Sequence, residues 1–162
     1  VCTNFTPTNN SQWVKEKLGV DLPAEYPVES YPGFAAPVVV KSHQTGRIAC
    51  GLAKFGLIPF WAKDDKIARH TYNARSETAS EKPSYRTAWR QRQYGLVLVD
   101  NFYEPSYESG RAVRWKIELA SGDPFGIRAT PLPPFIERKP LPEARSASRS
   151  ASASCARASV SD

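Results

Sequence analysis

The composition of the chain breaks at Arg128, and that break limits what can fold. Of the 35 residues from Arg128 to Asp162, 24 are Arg, Ala, Ser or Pro, and no Leu, Ile, Val or aromatic residue lies between Leu141 and Val160. A segment so poor in apolar side chains cannot bury enough surface to offset the entropy of ordering it. Residues 128–162 are therefore expected to be a disordered tail, with a Pro-rich start that favours extended, polyproline-like backbone. Six basic and three acidic residues in this tail suit an arm that grips nucleic acid; an incidental tail without a role is the plainer reading. The globular unit is then residues 1–127.

Charge and cysteine usage narrow the class. A formal charge of +6 favours an anionic partner, and 41% hydrophobic residues suffice for a core. Cys2, Cys50 and Cys155 are odd in number and widely spaced, which argues against a disulfide framework and suits a reducing, bacterial-type cytoplasm. His43 and His70 stand far from any Cys pair, so neither a metal site nor a cofactor is expected. No run approaches the ~20 apolar residues of a membrane span. The chain has no Met and starts at Val1; either a valine start codon is read literally or a start is missing, and in the first case processing would expose Cys2.

Local patterns in residues 1–127 predict antiparallel strands with a few helices, an α+β unit. Ser11 is placed to cap a short helix carrying Trp13, Val14 and Leu18, stopped by Gly19. A first strand is expected at 37–40, a second at 48–52 after a turn at Gly46, a buried strand at 94–99 and another at 112–119 after Gly110. Pro83 is read as the first position of a helix with Tyr85 and Trp89 on one face.

Two regions could carry chemistry. Between Arg69 and Tyr94, six basic residues are interleaved with Tyr72, Tyr85, Trp89 and Tyr94, the mixture that single-stranded nucleic acid requires; equally, the last three aromatics are core residues beneath a solvated helix face. Asn73-Ala74-Arg75-Ser76-Glu77-Thr78 is a polar run that suits neither core nor helix. Separately, an unblocked Cys2 would be a 1,2-aminothiol, whose amine (pKa near 8) condenses with an aldehyde before the thiol closes a five-membered ring. An inert chain end is the commoner fate of such a residue.

Taken together, Cys2, the run Gly56-Leu57-Ile58-Pro59-Phe60-Trp61, Asn73 to Thr78, and Phe102-Tyr103-Glu104-Pro105 resemble the SRAP family, the SOS-response-associated peptidase domain, in order and spacing. Tyr31 to Pro37 is similar to that family's Tyr-to-Ala-Pro loop. The resemblance covers residues 1–127 and implies a curled, barrel-like sheet with flanking helices. It also implies a monomer that senses abasic sites in single-stranded DNA and links its N-terminal cysteine to the ring-opened sugar as a thiazolidine. Carried over by motif, Cys2 is the nucleophile, Asn73 the amide orienting the reacting end, and Glu104 the acid/base. Arg75 holds a phosphate and Trp61 stacks beside the lesion, although an aromatic after Pro is as easily core. The alternatives are a thiol peptidase, perhaps acting only on its own terminus, and a non-catalytic DNA-binding truncated product.

The chain departs from the family after Ile127. The pattern there continues with further strands and a catalytic histidine, whereas this chain has no histidine after His70. Such a switch is what an out-of-frame reading of GC-rich DNA gives, and it predicts a sheet with open edges and uncovered apolar surface.

Overall fold

The computed structural model describes residues 4–42 and 45–130, together with the strand backbone at 151–153 and 155–156. Its centre is β5 (Gly95–Ser106), a 12-residue strand that changes neighbours along its length. Residues 95–97 pair with β2 (Ala35–Lys41) and residues 95–99 with β7 (Phe125–Ala129), both antiparallel. Further along, β1 (Asn4–Pro7) pairs with residues 99–103 and β6 (Val113–Ile117) with residues 102–106. Val99 already faces Phe125 of β7, so β1 must continue the edge occupied by β2 while β6 continues that of β7. β3 (Ile48–Phe55) completes a hairpin with β2 across a turn in which Gly46 adopts φ +68°. The sheet curls but does not close.

Alternation along the strands sorts the core. Phe5, Ala36, Val38, Ala53, Phe55, Val97, Val99 and Ile127 form one buried cluster. Val39 and Leu98, one residue out of phase, pack on the other face beneath Val14, Trp13 and Leu18 of α1 (Ser11–Leu18). A third cluster joins Leu57, Ala74, Ala79 and Tyr85, with Trp89 against it. It holds three short elements together: β4 (Asn73–Ala74), α2 (Ser76–Ala79) and α3 (Arg86–Arg90).

Several elements differ from the sequence reading. The cap of α1 is Asn10, whose side chain accepts from the Trp13 N–H at 3.0 Å, while Gly19 ends the helix in the left-handed region as expected. The first strand is β1, not 37–40. Pro83 lies in a turn, and the helix opens only at Arg86, although Tyr85 and Trp89 do share the packed face. β7 carries the folded chain through Ala129, two residues past Ile127. Most of the tail expected to be disordered lies outside the described residues; Ala151–Ala153 (β8) runs parallel to β3, and Cys155–Ala156 (β9) runs parallel to β4.

Candidate functional site

β1 decides where the start of the chain goes. It is held by β5 on one side and, on the other, by Ser30, which exchanges backbone hydrogen bonds with Phe5 at 3.2 and 2.8 Å. Because Pro7 lies opposite Val99 and Asn4 opposite Tyr103, Asn4 stands at the Glu104 end of β5. Cys2 lies outside the described residues. Asn4 itself is 2% exposed and donates from Nδ2 to Glu29 Oε1. The same oxygen accepts from Arg114 of β6, whose guanidinium lies 3.6 Å from the centroid of the Tyr103 ring. The Tyr31 hydroxyl also bonds Glu29, which pushes its pKa up. One carboxylate thus clamps β1, β6 and the 29–34 loop.

Glu104 lies within β5 rather than after it, and its direction depends on an irregularity in the strand. Thr6 faces Asn101 but Pro7 faces Val99, so Asp100 is an extra residue in β5. The bulge reverses the alternation. Phe102 therefore returns to the face of Val97 and Val99, where it meets Phe125 at 6.1 Å between ring centroids. Glu104, two residues on, follows Phe102 onto that face and is half-buried there. Without the extra residue it would point to the α1 side.

Asn73 and Arg75 are positioned by their neighbour. Ala74 is buried against Leu57, Ala79 and Tyr85, so in an extended stretch (Arg75 has φ −79°, ψ 131°) the flanking side chains both point away from that cluster. Asn73 is half-buried and Arg75 exposed. The buried Tyr85 hydroxyl donates to the Asn73 carbonyl at 3.3 Å, and burial raises its pKa to about 12.

The Gly56–Trp61 run is anchored at its start. Gly56 has φ +134°, and a Cβ there would sit 2.5 Å from the Ala68 carbonyl oxygen, so only glycine fits. Leu57 N–H donates to the Thr71 carbonyl at 3.2 Å, and the Thr71 hydroxyl donates back to Leu57 O. Trp61 is 47% exposed and Phe60 84%, so neither is a core residue. Phe55 joins the parts: its ring lies 5.1 Å from Phe5 and 5.8 Å from Tyr72. β1, the start of the Gly56 loop and the Asn73 segment therefore share one packed aromatic row, and Phe102 of the Glu104 strand packs on the same cluster.

The sequence reading missed Glu29, Arg114 and Asn4. Nothing local signals them, because their partners are remote in sequence. Cys50 is a poor nucleophile: it is half-buried, and desolvation raises its pKa to about 11. Near the Gly56 loop a cavity of about 270 Å³ is lined by Phe34, Lys54, Asp65, Lys66 and Arg69. Lys54 and Asp65 pair across it, and the ammonium lowers the Asp65 pKa.

The pattern of the SOS response associated peptidase (SRAP) family matches residues 1–130. The chain belongs to the SRAP family. It is 34% identical over 133 residues to the abasic site processing protein YoqW of Bacillus subtilis, covering 78% of this chain and 58% of that protein. The abasic site processing protein YoaM of the same organism is 38% identical over 78 residues, 48% of this chain and 34% of that one. A crystal structure of a Bordetella bronchiseptica protein matches this SRAP chain with a TM-score of 0.68 at 26% identity, over 80% of this chain and 63% of the other. The SRAP chain thus spans less than two thirds of each of these relatives.

Proposed function

We propose that this SRAP chain, as a monomer, captures abasic sites in single-stranded DNA through its N-terminal residue, with Cys2 freed of Val1. The observation that supports the reading is the insertion of β1 between Ser30 and β5, with Asn4 opposite Tyr103 and so next in line to Glu104. Support also comes from relatives that are named abasic site processing proteins.

The chemistry balances without a cofactor. The Cys2 amine adds to the aldehyde carbon of the ring-opened sugar, giving a carbinolamine that loses water to an imine. The thiol sulfur then adds to the imine carbon, and its proton ends on nitrogen; one water leaves overall. Glu104 takes the ammonium proton and returns one to the departing hydroxyl, both jobs suited to one carboxylate. Asn73 hydrogen-bonds the reacting end, Arg75 meets a flanking phosphate, and Trp61 stacks on a neighbouring base. These roles are read by motif onto side chains whose directions the fold sets.

The test is a denaturing gel of the full chain incubated with single-stranded DNA carrying one abasic site. A heat-stable adduct is expected, absent in Cys2→Ala, and slowed by ~10²–10⁴ in Glu104→Gln. An adduct formed by a chain whose intact mass retains Val1 overturns the aminothiol mechanism. The family's peptidase name favours a second reading, a thiol hydrolase. Peptide cleavage that needs Cys2, with no adduct from the same preparation, would establish that reading instead.

A further inference from the structure

The basic surface of α3 is not used by the site just described. Arg86 and Arg90 lie one turn apart on the helix and are exposed, as are Arg92 after it and Arg128 on β7. None of the four has a carboxylate within ion-pair distance among the described residues. Arg128 lies 4.6 Å from the ring centroids of both Trp89 and Tyr94, which themselves meet edge to face at 5.9 Å. A guanidinium held this way keeps its charge uncompensated while its plane is fixed by aromatic faces, an arrangement suited to a phosphate or to the face of a base. Arg92 is the one non-glycine residue at positive φ among the described residues, at +52°. Glycine would hold that conformation more readily, so the arginine side chain stands where the backbone does not favour it. The patch adjoins the candidate site: Tyr85, which precedes α3, and Trp89 within it pack in the cluster that contains Ala74, between Asn73 and Arg75.

We infer that Arg86, Arg90, Arg92 and Arg128 form a second track for single-stranded nucleic acid, one that grips the strand away from the nucleotide held near Asn73 and Arg75. This rests on the DNA-binding reading above and extends it. Bases stack over the Arg128–Trp89–Tyr94 group, and the other three guanidiniums meet phosphates.

The experiment uses intact single-stranded DNA with no abasic site, so that failure of the covalent chemistry leaves it informative. Affinity is measured against salt for oligonucleotides of about 5 and about 16 nucleotides. The longer one should show the steeper salt dependence. Replacing Arg86 and Arg90 together by Gln should flatten its log–log slope by about 1.4, about 0.7 for each phosphate that is no longer neutralised. Arg92→Gly guards against a mere folding defect: it relaxes the backbone, so the melting temperature should hold or rise while the slope still falls by about 0.7. Unchanged slopes in both variants, with the long oligonucleotide binding as before, would reduce the patch to a solvated surface. Equal slopes for the two lengths in the unaltered chain would overturn it too.

Discussion

β5 is one strand in two environments. From Gly95 to Val97 it lies between β2 and β7, and Val97, Leu98 and Val99 are buried in alternating clusters, while Leu96 is exposed. From Phe102 to Ser106 it pairs with β6, joined by β1 only at Phe102 and Tyr103, and β6 is exposed along Val113, Arg114, Trp115 and Lys116. The bulge at Asp100 separates the halves. Clusters on both faces stabilise the packed half; in the open half Glu104 is only half-buried. The fold thus concentrates its stability at one end of the strand and its candidate chemistry at the other.

Truncating aromatics in the two halves should break the symmetry most visibly. Phe55 is 2% exposed and touches both Phe5 and Tyr72. Phe55→Ala should cost about 3–5 kcal/mol, read by urea denaturation. It should also unfasten the Asn73 segment from β1, so a loss under about 1 kcal/mol would mean that the aromatic row does not join the two halves.

A smaller effect is expected at the clamp on the open half. Glu29→Ala removes the acceptor of Asn4 and Arg114 together, at a cost of about 1–2 kcal/mol. Amide exchange is the sharper readout. The Phe5 N–H, which donates to Ser30, should lose protection while Val97 and Val99 keep theirs. Uniform loss across β5 would show that the halves unfold as one unit.

These contrasts also explain how much the sequence disclosed. The hairpin of β2 and β3, the buried start of β5 and the Gly19, Gly46 and Gly110 turns follow from apolar runs bounded by glycine, signals a few residues long. β1 escaped notice because four residues containing Pro7 carry no periodicity; it forms because Phe5 fills the space between Phe55 and Val99. Motif resemblance marked Asn73, Arg75, Trp61 and Glu104 as candidates. It gave no hint of what aims them: the bulge at Asp100, the Tyr85 hydroxyl on Asn73, or the jam of Gly56 against Ala68. Each is a contact between segments remote in the chain, and local pattern carries no record of it.

pH offers a probe confined to the packed half. Cys50 faces Val39 and packs on the α1 side, where burial raises its pKa from 9.0 to about 11. The native thiol therefore keeps its proton after the unfolded one has lost it. Between these values unfolding releases a proton, so stability should decline as pH rises from about 9 to about 11. Below that window the contribution is fully present. Cys50→Ala should flatten this part of the stability–pH curve, and an unchanged slope would show that the thiol is solvated.

The smallest effect is expected at Trp115, and it is the most pointed test of the comparison. Trp115 is larger than Phe55 and sits directly opposite Glu104 on β6, yet it is 53% exposed. Hydrophobic stabilisation follows the area removed from water, not the size of the side chain. Trp115→Ser should therefore change stability by only about 0.5 kcal/mol, roughly a tenth of the cost at Phe55. Urea denaturation of both variants under one buffer condition makes the comparison direct. If Trp115→Ser costs as much as Phe55→Ala, the β6 side is covered in solution, and the Glu104 end of the strand is not the open half that its exposure indicates.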